Sequence, residues 1–150
     1  MSWDNKVLWT EGLFLQPHHF QQADRYNEAM VGGLARRVAP YVWGLSELEI
    51  DDEALKVGKF ALKSCAGLTQ DGATFRVPQA EDHPPSLEVP ENIKDCVVVL
   101  TIPQRRQGAT EVDLSETSHS ASRLRPAEVE ITNTMGTDKK PVTIGVGKLR

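Results

Sequence analysis

A chain of 150 residues, 39% of them hydrophobic, can bury one ordinary core and predicts a single domain. Its charged fraction of 25% is that of a folded globular protein and argues against wholesale disorder. The formal net charge of -4 excludes a general phosphate- or nucleic-acid-binding role, which calls for a basic face.

No apolar run approaches the roughly 20 residues that cross a bilayer. The opening MSWDNKVLW lacks the basic-then-apolar layout of a secretory signal, so a cytoplasmic location is expected. Residues 1–16 form an arm. Trp3, Val7, Leu8, Trp9, Leu13, Phe14 and Leu15 give it much apolar area without helical or strand period, and Gly12 interrupts it. Two readings stand: an arm packed across the rest of the domain, or a surface left exposed for a partner.

From Pro17 the period becomes helical. Phe20, Ala23, Met30, Val31, Leu34 and Val38 share one face with Asn27 as its polar interruption, while Gln22, Arg25, Glu28 and Arg36 lie toward the other side. Pro17 suits the first helical turn, and Pro40 sets the end because the residue before a proline avoids helical backbone. The spacing predicts one amphipathic helix over about 17–38. Gly32-Gly33 inside it costs about 1 kcal/mol per glycine in an exposed helix, which points to a close backbone contact or a bend.

Beyond Pro40 the pattern is that of strands. YVWGLSELEI ends in alternating Leu48 and Ile50, KFALKSC alternates, and TFRV places Phe75 and Val77 on one face. Asp51-Asp52-Glu53 reads as a connection. Asp71-Gly72 reads as a hairpin turn joining strands near 58–66 and 74–77. DHPPSLEVPEN is too proline-rich for a central strand and predicts a surface loop. Cys96 to Pro103, CVVVLTIP, is a continuous β-branched run expected as a central strand covered on both faces. Gln104–Ser122, with TEVDL and SETSHSAS, predicts an edge strand and a long, mobile loop. AEVEIT and PVTIGVGKL complete an expected antiparallel β-sandwich over 41–150. GVGKLR keeps strand periodicity to the last residue, so the sequence reads as the front portion of a longer protein.

Chemistry is sparse. Neighbouring His18 and His19 project about 100° apart on a helix, so they do not share a metal as histidines four apart do. His83 sits beside Pro84-Pro85 and His119 in the serine-rich run, contexts that do not hold a base against a nucleophile. GVGK fails as a phosphate loop because Val142 and Leu149 stand where that motif needs glycine and a hydroxyl residue. Arg105-Arg106 and Lys139-Lys140 read as solvated pairs in turns. Cys65 and Cys96 read as two buried thiols. Neither a catalytic residue nor a metal or cofactor site is expected.

VLWTEGLFLQPHHFQQADRY resembles the opening signature of the TssK (ImpJ/VasE) family of type VI secretion baseplate components. The match runs through Val7, Trp9, Glu11, Gly12, Phe14, Leu15, Pro17, His19, Phe20, Gln21, Asp24, Arg25 and Tyr26. It continues through YVWGLSELEID, KVGKFAL and LTQDGATFRVP, then more loosely through VVVLTIPQ and RLRPAEVEI. Gln is more usual where His18 stands, and the family's arginine-tyrosine pair is Arg123-Leu124 here. The resemblance implies an N-terminal shoulder domain with a β-sandwich fold, similar to the shoulder of siphophage receptor-binding proteins. It implies a homotrimer when full length, docking on the TssF–TssG wedge, and reach to the membrane complex of TssJ, TssL and TssM through a C-terminal part absent here. No cofactor is implied. Trp9, Leu13, Phe14 and Leu15 are the expected partner-binding residues. A carbohydrate-binding module is the second reading and a hydrolase the third.

Overall fold

The computed structural model describes residues 3–112, 114 and 121–150. Residues 115–120 of the serine-rich run, with His119, lie outside them, as does Asp113, so part of the expected loop falls beyond the described residues; the edge strand expected at TEVDL does not form, where only an isolated bridge joins Val112 to Leu124. The fold is mostly strand, with one long helix and small sheets. Two contact units divide it: Met1–Gly44 with Leu68–Ala73, and Leu45–Gly67 with Thr74–Arg150.

In the first unit the arm leads into α1, Pro17–Val38, the boundaries that the two prolines predict. Pro17 occupies the first turn, where its missing N–H is not needed. Ala39 is extended at φ -142° and ψ 138°, the geometry imposed by the following Pro40, and its N–H donates to the Ala35 carbonyl at 3.1 Å. The Asp71-Gly72 turn belongs to this unit. Gly72 has φ +92°, its N–H donates to the Thr69 carbonyl at 3.0 Å, and the Thr69 hydroxyl bonds Asp71 Oδ1. Glycine is the residue that takes such a φ without a Cβ clash.

In the second unit, β1 (Gly44–Ile50), β3 (Leu62–Leu68) and β4 (Thr74–Val77) form a sheet in the order β1-β3-β4. The hairpin β3–β4 is the one the Asp-Gly turn predicts. Between β1 and β3 the acidic run is more than a connection: Asp52–Lys56 forms a short helix, α2. Asp51 caps it, its Oδ1 accepting from the N–H groups of Glu53 at 3.0 Å and Ala54 at 3.2 Å. The proline-rich segment is mostly loop, but Leu87–Glu88 forms β5 and pairs antiparallel with β2, Lys59–Phe60. β6 (Leu124–Thr132) and β7 (Lys139–Gly147) form a two-stranded antiparallel ribbon, in register from Leu124↔Gly147 to Thr132↔Lys139. Lys139 and Lys140 therefore start a strand instead of lying in a turn.

The core gathers Cys65, Phe75, Val77 and Leu149, with Leu62, Leu100 and Ile102 packed against it. Burial pushes the Cys65 thiol up from its ordinary pKa, and the Glu81 carboxylate adds to the rise. Cys96, expected as a second buried thiol, is exposed. The run Cys96–Pro103 also departs from expectation, because no strand is assigned to it. Its one reciprocal backbone pairing is at Thr101, whose N–H donates to the Arg150 carbonyl at 2.7 Å and whose carbonyl accepts from Arg150 at 2.9 Å. Leu100 and Ile102 turn to the core while Val97 and Val99 are 86% and 66% exposed. An unbroken apolar run suggests cover on both faces, yet here cover reaches one face only.

Candidate partner-binding site

The arm is pinned to the start of α1 by polar contacts. The Gln22 side-chain amide donates to the Trp3 carbonyl at 2.9 Å and the Asn5 carbonyl at 2.7 Å, and its Oε1 accepts from Arg25 at 3.0 and 2.8 Å. The Arg25 guanidinium stands 5.4 Å from the centre of the Trp3 ring, within cation–π range. Further along, the Trp9 ring lies 6.3 Å from the rings of both His19 and Phe20. Gly12, at φ +79°, sits in a turn that brings the Leu13 N–H to the Thr10 carbonyl at 3.2 Å.

This pinning leaves much of the apolar surface outward. Phe14 is 81% exposed, and Trp9 and Leu15 are about half exposed. Leu13 is half-buried. Leu8, absent from the sequence-based set, is as exposed as Phe14. Such an apolar cluster on a held backbone suits a protein partner, since the side chains bring area and the backbone loses little freedom on binding.

The paired histidines have separate surroundings. Gln16 precedes the helix with extended backbone, and its N–H donates to His19 Nδ1 at 3.1 Å. His19 thus satisfies a backbone donor at the helix start, as the third residue of a capping box does. His18 is exposed. Among the described residues no three His, Cys, Asp or Glu side chains come together as a metal site.

The second unit holds a separate apolar groove of about 220 Å³. Leu48, Phe60, Leu62, Leu87, Val98 and Leu100 line it, and Arg150 supplies its charged edge. Sequence reading missed it because its walls come from segments far apart in the chain. The available signal was CVVVLTIP, an apolar run needing cover that its own neighbours do not supply.

Comparisons with known proteins show what the chain is similar to. The family described as Bacterial Type VI secretion, VC_A0110, EvfL, ImpJ, VasE matches residues 19–150. The type VI secretion system baseplate component TssK1 of Pseudomonas aeruginosa is 40% identical over 147 residues, covering 97% of this chain and 33% of that protein. The chain thus spans a third of the length of the curated relative it matches. A crystal structure of TssK matches with a TM-score of 0.85 and 34% identity, over 98% of this chain and 34% of that one. A chain in the cryo-electron microscopy structure of the TssK-TssF-TssG baseplate subcomplex matches with a TM-score of 0.83 over 97% of this chain and 49% of that one. Its identity is 22%, so that likeness speaks for the fold alone.

Proposed function

The chain belongs to the bacterial type VI secretion family of ImpJ and VasE, and from that membership we propose that it is the N-terminal shoulder domain of a TssK-type baseplate component. In this reading it is a structural adaptor that docks onto the TssF–TssG wedge, with Trp9, Leu13, Phe14 and Leu15 as contact residues. The observation that carries the proposal is the arm: its first residues are tied to α1 by Gln22 and Arg25, and its Trp9, Phe14 and Leu15 stay exposed. Burial of aromatic and aliphatic anchors is the main source of binding energy at protein interfaces.

The wider scheme follows from the family. The arm, α1 and the sheets form one domain, the sheets closing as a β-sandwich over 41–150. The full-length protein is a cytoplasmic homotrimer whose C-terminal part reaches the TssJ, TssL and TssM membrane complex near the inner membrane. No described helix is long and apolar enough to cross a membrane, which suits attachment through partners. The role is assembly, with no reaction or cofactor. The relatives' names support this reading and give none to a carbohydrate-binding module.

Capture of the 150-residue chain on purified, immobilised TssF–TssG tests the docking. Retention above a bead control, lost in the double variant Trp9→Ala/Phe14→Ala with unchanged circular dichroism, is the expected result. Absence of retention by the folded chain, or full retention by the variant, counts against it.

A further inference from the structure

The Asp71-Gly72 turn sets side by side two groups that react with each other. It is the only Asp-Gly step in the sequence, and no Asn-Gly step accompanies it. Both residues are exposed at the tip of the β3–β4 hairpin. With no Cβ on Gly72, nothing on that residue shields its backbone nitrogen from the carboxyl group of the preceding side chain. Attack of the nitrogen on Asp71 Cγ closes a five-membered succinimide: the N–Cγ bond forms, and a carboxyl oxygen leaves as water with the amide proton. Water then opens the ring. Addition at Cγ restores aspartate, while addition at the Asp71 main-chain carbonyl carbon leaves Gly72 joined through Cγ, as isoaspartate. One water is released and one taken up, so no other reactant enters and the mass is unchanged.

In the folded hairpin Thr69 occupies both reacting groups. Its carbonyl accepts from the Gly72 N–H at 3.0 Å, the donor that the attack has to free. Its hydroxyl accepts from the Ala73 N–H at 3.0 Å and donates to Asp71 Oδ1, which holds the carboxyl group toward Thr69. The Thr69 N–H donates to the Ala73 carbonyl at 2.9 Å and closes the base of the turn. Ring closure therefore requires the Gly72 N–H to leave one acceptor and the Asp71 carboxyl group to leave its donor. Giving up two hydrogen bonds slows the step by about tenfold or more.

We propose that Asp71 is a site of spontaneous isoaspartate formation, closed in the folded hairpin by Thr69 and opened when the hairpin frays or unfolds. The modification has a structural consequence. Isoaspartate routes the main chain through Cβ and Cγ and adds one methylene to the tip, where Gly72 meets α1 at Gly32. The pairing of Thr69 with Ala73 and the close approach to Gly32 both fit the shorter, unmodified backbone. The site thus records time that the chain spends with this hairpin open, whatever the arm docks to.

Prolonged incubation of the 150-residue chain near neutral pH, native and in guanidinium chloride, tests the proposal. Trypsin then releases Ser64–Arg76, in which Asp71 is the only aspartate and no asparagine occurs. Isoaspartate in that peptide separates from aspartate by chromatography at equal mass, and methyl transfer from S-adenosylmethionine by a protein isoaspartyl methyltransferase counts it independently. The unfolded chain should form isoaspartate about tenfold or more faster than the native chain. Thr69→Val should move the native rate toward the unfolded one, and Thr69→Ser, which keeps the hydroxyl, should stay near wild type. Asp71→Glu should give no product in either state, because its longer side chain does not close the five-membered ring. Absence of isoaspartate in the unfolded wild-type chain overturns the site. Equal rates in the native and unfolded wild-type chain overturn its closure by the fold, a comparison that needs no variant. A Thr69→Val chain that isomerises no faster than wild type overturns the part given to the hydroxyl.

Discussion

Gly72, at the tip of the β3–β4 hairpin, meets helix α1 at Gly32: a Cβ placed on Gly72 would lie 4.0 Å from the Gly32 Cα. Two glycines near this contact, Gly72 and Gly33, answer to different physics. Gly72 has φ +92°, so alanine there is strained by about 1 kcal/mol or more whatever the space. Gly33 has ordinary helical backbone, and a Cβ on it would meet nothing within 4 Å. Urea denaturation should therefore find Gly72→Ala destabilised by about 1–2 kcal/mol and Gly33→Ala stabilised by about 0.5–1 kcal/mol. A cost for Gly33→Ala would mean that something outside the described contacts presses on the helix there.

Gln22 is the hinge pin of the arm. Its amide satisfies two arm carbonyls and its oxygen receives the Arg25 guanidinium, so Gln22→Ala removes all of these contacts at once. Most of the arm's apolar area is already exposed, and the loss should stay local, with about 1 kcal/mol or less of global stability. Hydrogen–deuterium exchange should show faster exchange over residues 3–9 and an unchanged rate in β3 and β4. Equal acceleration everywhere would show that the arm supports the whole fold.

Cys65 and Cys96 should separate cleanly in thiol chemistry. Cys65 is 1% exposed and its thiol is held protonated, by burial first and by Glu81 second; Cys96 is exposed. A thiol reagent should label Cys96 in the native chain and reach Cys65 only on unfolding. The raised folded-state pKa also fixes the sign of a pH effect. Its contribution to stability is intact below the unfolded thiol's pKa of about 8.5 and is lost as pH rises from there through the higher folded-state value. Urea midpoints measured across this range should fall more steeply for the wild-type chain than for Cys65→Ala.

The elements legible in the sequence were those whose signals are local. Pro17 and Pro40 bracket α1, Asp71-Gly72 turns the β3–β4 hairpin, and alternating AEVEIT and PVTIGVGKL become the paired β6 and β7. Helix α2 had a local signal too, in the Asp51 cap, which was read as a connection. Facing is not local. The apolar stripe of α1 was visible as a period, but a period does not say which side its own chain covers. For the arm, apolar composition left packing and exposure open, and the contacts of Gln22 and Arg25 that tie its first residues to α1 join residues up to 22 apart in sequence.

The run Cys96–Pro103 gives the sharpest test of that distinction between composition and facing. If it were a strand covered on both sides, truncating any of its valines would open a cavity and cost about as much as truncating a core residue. The structure places Ile102 against the core and leaves Val99 66% exposed. Ile102→Ala should then cost about 2–4 kcal/mol, and Val77→Ala, at a residue 1% exposed, roughly 2 kcal/mol. Val99→Ala should stay within about 0.5 kcal/mol, as surface changes do. Chemical denaturation of the three variants measures the split. A Val99→Ala cost close to that of Ile102→Ala would mean that another surface covers the outer face of this run, giving the apolar groove lined by Val98 and Phe60 a neighbour after all.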